Sequence, residues 1–198
     1  VLVPSLTFCS TVNAIIHAGG KPILIDVDFD TMNINPNEIE KKINKRTKCI
    51  IPVHFAGRPC NMIKISKIAK KYNIKIIEDC AHAVESQYHG RHVGTFGNYG
   101  CFSFYATKNL SVGEGGMIIS NSMKGISRIK KMSLHGLSAD AWKRYSPKGF
   151  KHYFVEDIGY KYNLTDIQAA IGIHQLKKIE KNRKIRERIW KEYNNSFK

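Results

Sequence analysis

Over roughly the first two-thirds of the chain, short apolar runs alternate with stretches whose apolar residues recur at helical spacing. No other feature restricts the fold as much. Strands separated by helices are joined by crossovers, which lay the strands parallel in one sheet and put the helices on its faces. The runs Val1-Leu2-Val3, Lys21–Val27 (KPILIDV), Cys49–Val53 (CIIPV), Lys75–Asp79 (KIIED), Cys101–Tyr105 (CFSFY) and Gly116–Ser120 (GMIIS) read as strands. Val12, Ile15, Ile16 and Ala18 predict a helix that stops at Gly19-Gly20. Pro36 opens a second over Glu38–Asn44, and Ile65, Ile68 and Ala69 form the inward face of a third over Met62–Tyr72. From Thr165 a further helical pattern (Ile167, Ala170, Ile171, Ile173, Leu176, Ile179) runs into the basic stretch Lys177–Lys198. The expected architecture is α/β in three layers, a mostly parallel sheet flanked by helices.

Composition narrows the class. The chain has 198 residues, 42% of them apolar, which supports a buried core and excludes a disordered chain. No run reaches the ~18 apolar residues of a membrane span. The start has no signal pattern, and Val1-Leu2-Val3-Pro4 reads as a strand entered in mid-domain. Cys9, Cys49, Cys60, Cys80 and Cys101 are odd in number and form no C-x-x-C pair. This argues against a disulfide framework or zinc site and for a cytoplasmic protein. The 32 Lys+Arg against 16 Asp+Glu give a net charge of +16, which alone nominates nucleic acid, an anionic surface or a phosphorylated ligand. No aromatic RNA-binding signature or helix-turn-helix pattern accompanies it. Lys177–Lys198, with nine basic and three acidic residues, reads as a solvated helix face.

In an open parallel sheet, ligands sit beyond the carboxyl ends of the strands. That rule directs attention to Asp79 and to the segment Ser103–Gly116. Asp79 closes an apolar strand and either caps a helix from Ala81 onward or engages a cationic ligand group. Lys108 follows a buried strand and precedes Gly113-Glu114-Gly115-Gly116. A lysine there is a surface charge or, if its amine is held neutral, a nucleophile. Ser103 and Thr107 flank it, as ordinary hydroxyls or as phosphate ligands. Gly94, Gly97 and Gly100 match neither a dinucleotide fingerprint nor a Walker loop. His54, His82, His89 and His92 lack a helical metal-binding spacing, so no metal site is expected. Asp26 and Asp28 read as turn residues, and Cys80 as a small buried one.

Taken in order, IIPVHFAGRP, IIEDCAHAV, GCFSFYATKNLSVGEGG and GYKYNLTDIQAAIG resemble the DegT/DnrJ/StrS sugar aminotransferases, pyridoxal-phosphate enzymes of fold type I. VPSLTFCSTVNAI and KPILIDVD are similar to that family's earlier blocks, so the resemblance spans nearly the whole chain. It implies a role for each matching residue. Lys108 corresponds to the lysine bonded covalently to pyridoxal 5′-phosphate, and Asp79 to the carboxylate facing the pyridine nitrogen. His82 stands near the phenolic oxygen, Phe8 against the ring, and Ser103 at the phosphate. Lys161 or Asn163 takes the place of an asparagine that reaches the neighbouring subunit's phosphate. Many relatives read G-Y-N-x-R where this chain has Gly159-Tyr160-Lys161-Tyr162-Asn163.

The resemblance also implies a fragment open at both ends. Residues 1–170 would form the cofactor-binding large domain without its first phosphate-gripping block, and residues 171–198 a helical connection toward a smaller C-terminal domain. The implied activity is amino transfer from glutamate to a nucleotide-linked keto-sugar for surface glycans, in a cytoplasmic homodimer with shared active sites. The KYNLTDI form is similar to the branch that makes UDP-4-amino-4-deoxy-L-arabinose. Dehydratase relatives carry His at the lysine position, and Lys108 tells against that reading. A basic regulator or nucleic-acid binder on the same fold is the alternative from another class.

Overall fold

A computed structural model describes residues 1–138 and 152–197. Contacts divide the chain into two units, Val1–Ile119 with Ile167–Lys198, and Ser120–Asp166.

The first unit is built on a six-stranded sheet. Its strands are β1 (Leu2–Pro4), β2 (Ile23–Ile25), β3 (Cys49–Ile50), β4 (Lys75–Asp79), β7 (Tyr99–Ser103) and β8 (Gly116–Ile119), in the order β2-β1-β3-β4-β7-β8. All neighbours are parallel except β8, which runs antiparallel to β7. The expected mostly parallel sheet flanked by helices is thus observed. Between β4 and β7 the chain makes a small antiparallel hairpin of β5 (Gln87–Tyr88) and β6 (Arg91–His92).

Local capping and turn chemistry sets several of the helix ends. In α1 (Cys9–His17) the chain leaves through Gly19 at φ 73°, as the Gly-Gly pair predicts. The second, α2 (Pro36–Lys42), has Pro at its first position, and Asn35 accepts the Asn37 N–H at 3.0 Å. It stops two residues short of the expected Asn44 because Ile43 is already extended, at ψ 136°. The third, α3 (Met62–Lys71), is capped by Asn61, which accepts the Lys64 N–H at 3.1 Å. It buries Met62, Ile65, Ile68 and Ala69 while its lysines face water. Full burial of an Ile such as Ile65 contributes about 2 kcal/mol. These side chains join Leu2, Ile25, Ile34, Ile39, Ile50 and Ile76 in the main core.

Helix α5 (Asp166–Ser196) is 31 residues long and carries ion pairs along its own length, Arg183 with Glu180 and Glu187 and Lys191 with Glu187. In the second unit, α4 (Met123–Met132) is capped by Ser122, which accepts the Gly125 N–H at 3.1 Å. There, bridges join Leu134 to Lys161 and Leu137 to Val155, and Tyr160 stacks on Tyr162 at 4.9 Å. Among the described residues, no helix is long and apolar enough to cross a membrane.

Candidate active site

The parallel strands β1, β3, β4 and β7 share one carboxyl edge, and five of the seven expected site residues belong to the unit built on it. Asp79 is the last residue of β4 and is half-buried. Its Oδ2 accepts a 2.8 Å hydrogen bond from Thr11 Oγ1, and Thr11, buried in α1, lies 2.9 Å from Thr7 Oγ1. Asp79 Oδ1 accepts the Ala81 N–H at 3.1 Å. The helix expected from Ala81 onward does not form. Residues 81–86 make tight turns, closed by Ala83 N–H to Cys80 O and Ser86 N–H to Ala83 O, and enter β5 directly. Asp79 therefore caps a turn, and its carboxylate is fixed from the other side by α1.

On the adjacent strand Cys101 is the register partner of Asp79, so Ser103 ends β7 two residues further along the same edge. The strand occupies Tyr99–Ser103, two residues earlier than the expected Cys101–Tyr105. Tyr105 has left the ladder to close the next turn, its carbonyl accepting the Lys108 N–H at 2.9 Å. Ser103 Oγ accepts the Tyr105 N–H at 3.3 Å. Phe104 bonds to Gly115 on one side and to Val112 on the other, and buried Leu110 and Val112 root the loop. Lys108, half-buried, is presented at its bend.

His82 reports electrostatically on both neighbours. Partial burial lowers its pKa, the positive charge of Lys108 lowers it further, and Asp79 opposes both. The imidazole is therefore neutral at pH 7 and can hydrogen-bond without adding a charge. Phe8 is the N-cap residue of α1, its carbonyl accepting the Thr11 N–H at 3.1 Å, and the residue is 76% exposed. Lys161 (exposed) and Asn163 (half-buried) belong to the other unit, Lys161 in the bridge to Leu134.

One step back along β4, Glu78 is fully buried. Its Oε1 accepts the N–H groups of Phe96 (2.7 Å) and Gly97 (2.6 Å), and its Oε2 that of Gly94 (2.7 Å) and His54 Nε2 (3.2 Å). His54 Nδ1 accepts the Cys60 N–H at 3.0 Å, which puts the ring proton on Nε2, toward Glu78. Burial pushes the Glu78 pKa up, but His54 and the Gly97 and Gly94 amides more than offset it, and the net shift is downward. This gives Gly94 and Gly97 of GTFGNYG their place. Gly94 has φ 86°, and a Cβ there would lie 2.7 Å from the Phe102 ring. At Gly97 one would lie 2.8 Å from the Ile76 carbonyl oxygen. Cys80 Sγ lies within 4.8 Å of His54 and Glu78 ligand atoms, but both ring nitrogens and both carboxylate oxygens already have protein partners. Burial, with Glu78 and Asp79 nearby, also pushes the Cys80 thiol up.

The donor set suits a pyridoxal phosphate: a carboxylate held from two sides, a neutral imidazole, an amine, a strand-end hydroxyl and an open aromatic face. A family model described as the DegT/DnrJ/EryC1/StrS aminotransferase family matches residues 1–198. The chain belongs to this family. Its members use pyridoxal phosphate. Protein MJ1066 of Methanocaldococcus jannaschii is 53% identical over the whole chain, and spore coat polysaccharide biosynthesis protein SpsC of Bacillus subtilis is 45% identical. The chain spans 51% of the length of each. Among solved structures, the PLP form of Spr1654 from Streptococcus pneumoniae, assigned as a sugar aminotransferase, matches with TM-score 0.88 at 28% identity, over 99% of this chain and 53% of that one. Helicobacter pylori PseC, an aminotransferase in pseudoaminic acid biosynthesis, matches with TM-score 0.82 at 30% identity, over 90% of this chain and 46% of that one.

Sequence reading missed three features of the site region: the hold of Thr11 on Asp79 across 68 residues, the Glu78 anchor, and a link from Glu85 to Asn109 and Arg186. None has a local pattern. Each joins segments that only the sheet brings together.

Proposed function

We propose that the full protein transfers an amino group from glutamate to a keto-sugar carried on a nucleoside diphosphate, as a cytoplasmic homodimer with shared active sites. The observation that carries this reading is the grouping of Asp79, His82 and Lys108 at one sheet edge, where Lys108 and Asp79 pull the His82 pKa in opposite directions. Bound pyridoxal phosphate supplies an electron sink for carbanion chemistry at the donor's α-carbon. Asp79 holds a proton on the pyridine nitrogen, because an opposed carboxylate favours the charged ring. Thr11 keeps that carboxylate aimed. The Lys108 amine would hold the cofactor and, when free, would serve as the base and acid that moves a proton at the donor's α-carbon. Neutral His82 orients the phenolic oxygen, Phe8 covers the ring face, and Ser103 donates to the phosphate. Lys161 or Asn163 reaches the phosphate held by the neighbouring subunit.

The relatives support a sugar acceptor: PseC works in pseudoaminic acid biosynthesis and SpsC in spore coat polysaccharide biosynthesis. The similarity of KYNLTDI to the UDP-4-amino-4-deoxy-L-arabinose branch makes a UDP-4-keto-pentose the first acceptor to try. The test uses the full-length protein with pyridoxal phosphate, borohydride reduction and peptide mass mapping. An adduct on Lys108 is expected, and one on any other lysine overturns the reading. Glutamate with a panel of keto-sugar nucleotides then identifies the acceptor.

A further inference from the structure

Glu85 sits in the turns that follow Asp79, its side chain only 13% exposed. One carboxylate oxygen, Oε2, accepts a 2.8 Å hydrogen bond from Asn109 Nδ2. The other, Oε1, pairs with the guanidinium of Arg186, from the far part of α5. Asn109 is the residue after Lys108. One carboxylate thus ties the Asp79 turn, the Lys108 bend and the long helix together. Arg186 differs in this from the other paired cations of α5, which pair with glutamates on the helix itself. The same helix grips the loop at two more points. Gln168 Nε2 donates to the Glu114 carbonyl at 2.8 Å, and Gly172 lies so close to Val112 that a Cβ would come within 3.2 Å of its Cγ1.

We propose that Glu85 is a positioning residue for Lys108: through Asn109 it fixes the bend that presents the lysine, and Arg186 fixes Glu85. A carboxylate in a largely excluded pocket needs both partners. With Arg186 removed it is drawn back toward water and releases Asn109, because a partly buried charge without its counterion is unfavourable. Leu110 and Val112 anchor the far side of the loop, while at the Lys108 turn the backbone bond is Lys108 N–H to the Tyr105 carbonyl, so the Asn109 side chain adds a second hold next to the lysine. The precision of a reacting amine depends on how firmly its supporting residues are locked. This inference rests on the reading of Lys108 as the reacting lysine.

The test uses the full-length protein and two readouts. The first is hydrogen exchange at the Lys108 and Val112 amides without cofactor. The second is the rate of the borohydride-fixed adduct at Lys108 with a fixed concentration of pyridoxal phosphate. For Glu85→Ala, both amides should exchange on the order of tenfold faster, and the adduct should form on the order of tenfold more slowly, the scale of a lost charge-assisted bond. The amides of β4 should be unchanged, which separates this from general unfolding. Glu85→Gln, which can still accept from Asn109, should recover part of both effects. Arg186→Glu should behave like Glu85→Ala, and Glu85→Arg with Arg186→Glu should restore the ion pair but not the exchange protection, because an arginine at position 85 cannot accept from Asn109 Nδ2. Unaltered exchange and adduct rates in Glu85→Ala, with the wild-type adduct on Lys108, overturn the proposal. A wild-type adduct on another lysine overturns the functional reading instead, and exchange alone then judges whether Glu85 holds the bend.

Discussion

Glu78 and Asp79 are neighbouring carboxylates on one strand, and they have opposite fates. Strand alternation sends them to opposite faces. Glu78 is fully enclosed and its two oxygens accept four hydrogen bonds from residues distant in sequence. Asp79 reaches the sheet's open edge, held by one hydroxyl and one amide and still half-accessible. A carboxylate whose acceptor sites are all used inside the protein organises the fold around it. One held firmly but left open to a ligand is available for chemistry. Residue type does not separate the two roles; the number and position of the surrounding donors do.

The contrast can be broken most directly on the open side. Lys108→Ala should abolish both turnover and the borohydride-fixed adduct, since no neighbour can supply the covalent link, and the full-length variant should keep its melting temperature. An adduct persisting at undiminished yield would refute the assignment. Asp79→Asn should lower turnover by about 100-fold or more, which is about 2.7 kcal/mol of barrier, with a stability change within about 1 kcal/mol in denaturant titration.

Glu78→Gln should do the reverse. The amide must point its NH₂ at one of two pairs of N–H donors, leaving those donors unpaired in the core, so stability should fall by about 3–5 kcal/mol. If Asp79→Asn proved the more destabilising of the two, the division of roles would be wrong.

Acid should distinguish the two in another way. The folded pKa of Glu78 lies below its unfolded value of about 4.5, so its contribution is complete above that pH and is lost as pH falls through the folded value. His82, with a folded pKa below 6.5, acts in the same direction: below that pH the unfolded chain binds the extra proton first, and stability declines with acidification. Urea titrations from pH 7 to pH 3 should show this fall in the wild type and a flatter profile below pH 4.5 in Glu78→Gln. The smallest effect belongs to Thr11. Thr11→Val should cost about 1 kcal/mol and weaken pyridoxal phosphate binding several-fold, with Thr11→Ser restoring most of it. Equal binding by all three forms would show that Asp79 needs no such support.

Much of this was legible in the sequence, for identifiable reasons. The strand KIIED and the helix over Met62–Tyr72 announced themselves because burial on one side imposes a periodicity that a single segment carries. Asp79, Ser103 and Lys108 stood out because strand ends in a parallel sheet share an edge. Boundaries were less legible. The strand at CFSFY was displaced by two residues, and the helix after Asp79 was replaced by turns, because hydrogen bonds with Gly115, Val112 and Cys80 decide where those segments leave regular structure. Of the triplet Gly94, Gly97 and Gly100, the first two had no assignment until Glu78 supplied one through their amides, and Gly100 packs so close to Gly94 that a Cβ would collide with its carbonyl oxygen. The basic stretch read as solvated surface contains Arg186, which crosses to Glu85.

By itself the sequence determined the alternation of strands and helices, the family, and the candidate residues for the chemistry, since these rest on local periodicity and on ordered motifs. The tertiary structure alone decided that Glu78, the neighbour of Asp79, is enclosed as an anchor. It also decided which hydroxyl holds the Asp79 carboxylate and which charge pair stands behind the lysine. Those choices depend on donors brought together from 16 to 101 residues away, and no local pattern encodes a contact whose partner is set by the packing of the sheet.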